Sequence, residues 1–349
     1  MTGGEPRAYD AFGPQWTTIF SVEAFPPMPA LGFARLTRRQ LANALALAVV
    51  FFSFTPQKAS AAPDWSAIQT AMGASGTEMP GNVLRFELYR SDLYSSLTVN
   101  GVQPYLGDVA NGFVAFKPAY NGQIFADGSL PAQETELNGL ETALRTNPHI
   151  RITGVGSHVI LESPRLIWVE FEAEGNGADL AASIATALAT IHSPQLNVGV
   201  IPGTDNVFDP STILPPNFLK LFDEGFVEQM DDVFVFYLPR PDEHSINLRD
   251  VRAEAGLGVG QSFYIEVPFE GGSNITIDID FALRPEEVQG VEDILRAGGF
   301  TISSQANHYL DDGSNLQFVH ATATGDGFNL ATPLYNAIEV IRGQSYRHW

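Results

Sequence analysis

Glu136-Leu-Asn-Gly139-Leu-Glu141-Thr-Ala-Leu-Arg145 returns 151 residues later as Glu287-Val-Gln-Gly290-Val-Glu292-Asp-Ile-Leu-Arg296. The correspondence extends in both directions. Upstream, Leu88-Tyr-Arg90-Ser-Asp92 matches Leu238-Pro-Arg240-Pro-Asp242 at an offset of 150. Downstream, Ser157-His158-Val-Ile-Leu-Glu162 matches Asn307-His308-Tyr-Leu-Asp-Asp312, and Asp179-Leu180-Ala181 matches Asn329-Leu330-Ala331. A register held this far marks a tandem duplication, which has to be recognised before any fold is read. Residues 62–192 form the first repeat, 193–217 a proline-marked linker and 218–349 the second repeat.

Each copy gives the same order of elements. Val83–Tyr89 and Val233–Leu238 read as strands, as do Tyr94–Val99 and Phe263–Val267, and Asn274–Phe281 alternates strictly between polar and apolar. Leu283–Gly298 has the signals of a helix, with Pro285 in its first turn, acids beside it and glycines as the stop; Pro131–Arg145 is its counterpart. Two strands joined by a tight turn follow, Ile150–Leu161 with Leu166–Ala173 and Thr301–Leu310 with Gln317–Thr324. A second helix closes each copy, at Leu180–Ile191 and Leu330–Ile341. The expected fold is α+β: two tandem repeats, each an antiparallel sheet with two helices packed on it.

The chain's 349 residues exceed two domains of ~150, and the surplus lies at the N-terminus. Arg35, Arg38 and Arg39 precede an apolar run from Leu41 to Phe54, and Ala59-Ser60-Ala61 follows. Basic region, apolar region and A-x-A site in that order predict a signal peptide over residues 1–61, cleaved after Ala61, so that the product is exported to the periplasm or beyond. The apolar run is shorter than the ~20 residues that span a bilayer, and no second long run follows, so the mature chain is expected to have no membrane span. Thr37-Arg38-Arg39-Gln40-Leu41 also resembles a twin-arginine signal, which leaves the Sec and Tat routes both open. Residues 1–27 are long for an n-region and are expected to be a gene-model extension ahead of a start at Met28.

Composition narrows the chemistry. With 19 basic and 40 acidic residues the formal charge is −21, and loss of the signal makes it −23. That balance excludes the Lys/Arg footprint of a general nucleic-acid binder. Zero cysteines exclude disulfides, thiolate metal sites and Cys nucleophiles. No P-loop or dinucleotide fingerprint stands in a strand–turn–helix context, Gly256-Leu-Gly258-Val-Gly260 reads as a loop, and no nucleotide cofactor is indicated.

The polar residues gather on the hairpins. His308 and His320 lie twelve apart and symmetric about Ser314, so a turn near Asp312–Ser314 sets them opposite or nearly opposite on adjoining strands, where two imidazoles can share an ion. With Asp312 they make a two-His, one-carboxylate set of the kind that takes Zn²⁺ or non-haem Fe²⁺. The first copy has His158, Glu162 and Glu170 at the same spacing, a harder set that suits Mn²⁺ or a weakly held ion. Asp311-Asp312-Gly313-Ser314 is equally what a turn needs for its own backbone hydrogen bonds. Arg90 with Asp92 and Arg240 with Asp242 share a strand face, where they either bind an anionic ligand or pair internally. His149, His192 and His244 have no counterpart at the repeat offset and read as surface, and Asp278 and Asp280 read as the wet face of their strand.

Gly156-Ser-His158-Val-Ile-Leu-Glu162-Ser-Pro164-Arg165 through Trp168-Val-Glu170-Phe171, followed by Asp179-Leu180-Ala181, resembles the signature of the LppY/LpqO family of exported bacterial proteins. That signature is a His-Asn-His-Leu-Leu run, an acid-Ser/Glu-Pro-Arg turn, a Met-His-Phe run and a Leu-Ala helix start. Ala306-Asn307-His308-Tyr309-Leu310 through Phe318-Val319-His320 is similar to it too, and the resemblance covers about Trp65 to Arg342. Gly156 and Ala306 replace the family's first histidine, and Glu170 replaces the Met-His-Phe histidine. Lipid-anchored members carry a cysteine after the signal; its lack here implies a released protein. The resemblance implies export and a paired-domain architecture, without an assigned activity. Two functional readings follow: a metal-binding protein, with metal-assisted hydrolysis as its chemistry, or a non-catalytic module that binds a small molecule or a partner.

Overall fold

Strand Asn274–Leu283 shows how each repeat is built. Its alternation sends Ile275, Ile277, Ile279 and Phe281 into a core shared with the helices, while Asp278 and Asp280 take the opposite face. The computed structural model describes residues 63–93, 95–99, 110–191, 195–196, 210–230, 233–266, 274–310 and 312–345. The expected signal over 1–61, most of the linker, His192 and Asp311 lie outside the described residues.

The first sheet contains β1 (Thr77–Met79), β2 (Val83–Tyr89), β3 (Asn111–Pro118), β4 (Ile124–Gln133), β5 (Ile150–Gly156) and β6 (Leu166–Gly175), in the order β1-β2-β3-β4-β6-β5. The second contains β7 (Phe226–Met230), β8 (Val233–Pro239), β9 (Gly260–Glu266), β10 (Asn274–Leu283), β11 (Thr301–Ala306) and β12 (Gln317–Asp326), in the equivalent order β7-β8-β9-β10-β12-β11. All these pairings are antiparallel. Helices α1 (Ser66–Met72), α2 (Leu137–Leu144) and α3 (Gly177–Leu188) cover one face of the first sheet; α4 (Pro216–Leu219), α5 (Pro285–Ala297) and α6 (Gly327–Ser345) cover one face of the second. The fold is the expected α+β, with a third short helix ahead of the first strand in each copy. Among the described residues no helix is long and apolar enough to cross a membrane.

Two expectations change. Tyr94–Val99 is not the second long strand of the first copy; Asn111–Pro118 pairs with β2 in that place, and only Thr98–Val99 extends, against Glu162–Ser163. Pro131 does not start a helix but sits in β4 opposite Trp168. The β3 ladder ends at Phe113–Ser129, so the missing N–H of Pro131 leaves no ladder bond unmade on that side.

The faces turned away from the helices pack on each other, giving four layers, helix–sheet–sheet–helix, within one compact unit of Ala61–Trp349. Val83, Tyr89 and Phe125 of the first sheet meet Val235, Tyr237, Tyr264 and Phe318 of the second. Buried polar groups cross the same seam. Tyr237 Oη donates to Glu87 at 2.8 Å, Tyr309 Oη donates to Asp127 at 2.6 Å, and Lys117 Nζ donates to Glu254 at 2.8 Å. Gly81, at φ +78°, lies where a Cβ would overlap the Glu254 carboxylate, so the loop before β2 admits only glycine at that approach. Residues 87 and 237 are equivalent in the two copies, and their contact marks an isologous, near-two-fold packing of like against like.

The Arg-x-Asp elements are internal clamps, which corrects their reading as ligand-binding groups. Arg240 is 1% exposed and donates to Asp242 (2.9 Å), to both oxygens of Glu287 (2.8 and 3.0 Å) and to the Ala282 carbonyl (2.6 Å). Arg90 repeats this with Asp92, Glu136 and the Pro131 carbonyl. Glu287 also accepts the Arg284 backbone N–H, and Glu136 that of Gln133, so each clamp ties the end of one strand to the start of a helix. Removal of the cation leaves two acids short of their partner, one of them fully buried. Arg240→Ala is therefore expected to cost about 3–5 kcal/mol of unfolding free energy in urea melts; a loss below ~1 kcal/mol would show that the clamp is not structural.

Candidate metal centre

Neither histidine of the pair equivalent by repeat stays on its strand. β5 ends at Gly156 and β11 at Ala306, and each has a bulge, at Ile152/Gly154 and Ile302/Ser304, that shifts its register. The β11–β12 ladder ends at Ala306 opposite Phe318, so the connection from 307 to 316, and not the bulge, leaves Ser304 rather than His308 opposite His320. Beyond the ends of β5 and β11, His158 and His308 lie beside each other with ring centroids 5.6 Å apart. Ser303 Oγ donates across the seam to the His158 carbonyl, which fixes that approach.

The outcome is one cluster drawn from both copies. Ring nitrogens of His158, His308 and His320 lie within 4.8 Å of one another. His308 Nε2 and His320 Nε2 are 3.4 Å apart, close to the edge of about 3.3–3.4 Å that two ligands at 2.0–2.1 Å from a tetrahedral ion would span. The rings of His158 and His320 stack at 3.7 Å, Trp168 stacks on His158 at 4.7 Å, and Phe318 stacks on His308 at 4.0 Å. His158 and His320 are 21° from parallel, so a shared ion requires a turn of one ring about its soft terminal torsion.

Glu170 holds one of the rings and stands near a second. Its Oε1 lies 3.1 Å from His158 Nε2 and accepts from Ser129 Oγ at 2.7 Å; its Oε2 lies 3.8 Å from His308 Nδ1. A carboxylate on one ring nitrogen fixes the tautomer and leaves the lone pair on the other. For His158 that other atom is Nδ1; the 3.8 Å from Glu170 to His308 Nδ1 is an electrostatic approach beyond hydrogen-bond reach, and His308 Nε2 faces His320. Burial pushes the His158 and His308 imidazoles down to about 3 and holds His320 well below the usual range; burial also raises the Glu170 carboxyl. The rings are therefore neutral at pH 7, the form in which imidazole binds metal.

A cavity of about 40 Å³ adjoins the cluster, lined among others by Arg85, Trp168, Tyr264, Asp278 and Asp280. Asp278 and Asp280 thus face the seam and not the solvent expected for them. The polar face of β10 looks wet in sequence only because the other sheet, which covers it, is remote in the chain.

The structure separates the remaining candidates from the cluster. Asp312 is 7% exposed, and its carboxylate accepts backbone N–H groups from Ser314 (3.0 Å), Asn315 (2.6 Å) and Leu316 (2.6 Å). Both oxygens serve the turn, and Asp312 is not a ligand beside His308 and His320. Glu162 is in the short strand paired with Thr98–Val99, outside the cluster. The separate site of the first copy, built on His158, Glu162 and Glu170, does not form: His158 and Glu170 join the second copy's histidines instead. Of the surface histidines, His149 and His244 are exposed.

Residues 66–190 and 221–340 each match the family described as Domain of Unknown Function (DUF1259), and the chain belongs to that family. The two matches fall on the two sheet-and-helix units. No curated protein matches the chain. Among solved structures it is similar to EtuB from Clostridium kluyveri, at 9% identity and a TM-score of 0.21, over 78% of this chain and 92% of that one. It is also similar to the trimeric bacterial microcompartment shell protein PduB, at 11% identity and a TM-score of 0.19, over 74% and 87%. Scores this low carry no argument about function.

Depressed histidines have a measurable consequence in the metal-free protein. Unfolded imidazoles take up protons near pH 6.5, whereas these folded rings do not until about pH 3, so within that window they oppose folding increasingly as the pH falls. Nitrogen-15 spectra of the rings should show His158, His308 and His320 neutral from pH 8 to pH 5; a midpoint near 6.5 for any of them would contradict its burial.

Proposed function

We propose that this protein is an exported, two-repeat metal-binding protein, with one divalent ion, Zn²⁺, Fe²⁺ or Mn²⁺, held between the copies by His158, His308 and His320. The observation that carries the reading is the convergence of three neutral ring nitrogens within 4.8 Å, one from the first repeat and two from the second. Three imidazoles are a ligand set that holds a catalytic zinc while leaving a position open, and imidazole suits iron as well. The export half of the reading rests on the order of basic, apolar and A-x-A segments over residues 1–61 and on the LppY/LpqO resemblance.

A divalent ion at such a centre supplies Lewis acidity and an activated water, the chemistry of metal-assisted hydrolysis. The residues around it do the positioning. Ser129 orients Glu170, Glu170 orients His158 and stands near His308, and Trp168 and Phe318 back the rings. The cavity limits what can react there. At about 40 Å³ it has room for roughly three waters, so a reacting group that reaches the ring nitrogens has only a few heavy atoms. The same small volume favours the second reading, a non-catalytic module in which the ion or a small ligand ties the repeats together.

Protein purified without chelator should carry one divalent ion per chain by elemental analysis and bind Zn²⁺ or Co²⁺ stoichiometrically by calorimetry. His158→Ala should weaken binding at least ~10-fold, as should the His308→Ala/His320→Ala double variant. Undiminished binding in His158→Ala would reduce the site to the second hairpin, and equal metal content in all variants would remove the reading.

A further inference from the structure

The cluster has a second carboxylate beside it, and its bonding differs from that of Glu170. Asp280 stands in β10 directly opposite His320 of β12, with Ser262 of β9 opposite on the other side. Its Oδ1 is 3.7 Å from His320 Nε2. That oxygen is buried and has no hydrogen-bond partner among the described residues. The arginine that lines the same cavity is committed elsewhere: Arg85 Nε donates to Glu87, its Nη1 donates to the Gly256 carbonyl at 3.0 Å, and its guanidinium lies 3.7 Å from the centre of the Phe113 ring. Glu170, by contrast, has a hydroxyl donor and a ring nitrogen on one oxygen.

A buried carboxylate oxygen without a donor is costly unless a cation completes it. Here it faces an imidazole nitrogen that also faces a second imidazole, at separations of 3.7 and 3.4 Å. Ligands on adjacent positions of one ion at about 2.0–2.2 Å are separated by little less than this. Asp280 stands outside the set of three rings whose nitrogens lie within 4.8 Å of one another, and of those rings it approaches His320. We infer that Asp280 Oδ1 becomes the fourth protein ligand of the ion once its side chain turns from His320 toward the other rings, making the centre a three-histidine, one-carboxylate set. The inference rests on the three-histidine centre proposed above. The two acids then have distinct tasks: Glu170 orients His158 from behind, and Asp280 binds the ion from the cavity side. A carboxylate ligand also hardens the site, which moves its preference from an all-nitrogen set toward iron and manganese. Four protein ligands leave a fifth position for water only where the ion expands its coordination, so the carboxylate bears directly on reactivity.

The test is a Co²⁺ titration of the full chain, followed by the visible ligand-field bands and by calorimetry, for wild type, Asp280→Asn and Asp280→Ala. Both variants should bind at least ~10-fold more weakly, with altered band position and intensity, and the rise in melting temperature on adding Co²⁺ should shrink. Metal-free Asp280→Ala should melt no lower than wild type, because it loses a buried oxygen that has no partner, while Asp280→Asn keeps the shape of the side chain and removes its charge. That readout separates a ligand from a structural acid and shows that the variants fold. Wild-type affinity and wild-type bands in either folded variant would overturn the assignment of Asp280 while leaving the histidine centre standing. Absence of Co²⁺ binding by wild type would remove the centre and the fourth ligand together.

Discussion

A sheet has two faces, and the helices of each repeat cover only one. Everything else in this molecule depends on what covers the other. Val83, Tyr89 and Phe125 in one copy and Val235, Tyr264 and Phe318 in the other are too apolar to leave in water, and the second sheet is what buries them. The inner faces also carry charge, which cannot be buried unpaired. Arg85 is held by Glu87 and a carbonyl from the second copy, Glu87 accepts from Tyr237, and Lys117 reaches Glu254 across the seam. Neither inner face is satisfied alone. The duplication is therefore a single folding unit rather than two beads on a string.

Packing like against like also explains why the hairpins of the two copies make one candidate centre between them and not one in each copy. Near a two-fold axis a residue meets its own equivalent, as Glu87 meets Tyr237 and as His158 meets His308. The next equivalent pair is Glu170 and His320. Had both been histidine, four imidazoles would have crowded the axis with no acid to orient them. Had both been glutamate, two buried carboxylates would have faced each other. The actual pair offers a ring nitrogen from one copy and a carboxylate from the other. The divergence of the copies at this position makes the site composite.

Much of the fold was legible because a register of 150 or 151 residues links Arg90 to Arg240 and Glu136 to Glu287, and the structure uses both pairs identically. The four-layer arrangement was not legible, since local alternation says which residues share a face and never what covers it. Asp278 and Asp280 look like solvent-facing residues in a half-buried strand, yet their face meets the other sheet. The site was half legible for the same reason. His308 and His320 were within reach as two arms of a hairpin, although β11 ends at Ala306 and Ser304 is the residue opposite His320. His158 and Glu170 were visible only as a separate, weaker copy, because nothing local in the chain says that equivalent positions touch. The turn acid Asp312 misled in the opposite direction: its spacing suited a ligand, but three backbone N–H groups take both its oxygens.

The position of the centre gives metal binding a role that a site within one hairpin could not have. An ion that engages only the closed arrangement of the two sheets stabilises it by RT ln(1 + [L]/Kd), about 2.7 kcal/mol at a hundredfold excess over Kd. Without an ion the same space holds three desolvated rings, two of them stacked at 3.7 Å, so acid acts on them collectively: a proton on one ring raises the cost of a second on its neighbour. With an ion, the seam gains a cross-link made entirely of side chains, in a protein whose lack of cysteine denies it a disulfide. Ligand geometry and the packing of the two repeats are then a single constraint, because any loosening of the sheets moves His158 away from His308 and His320.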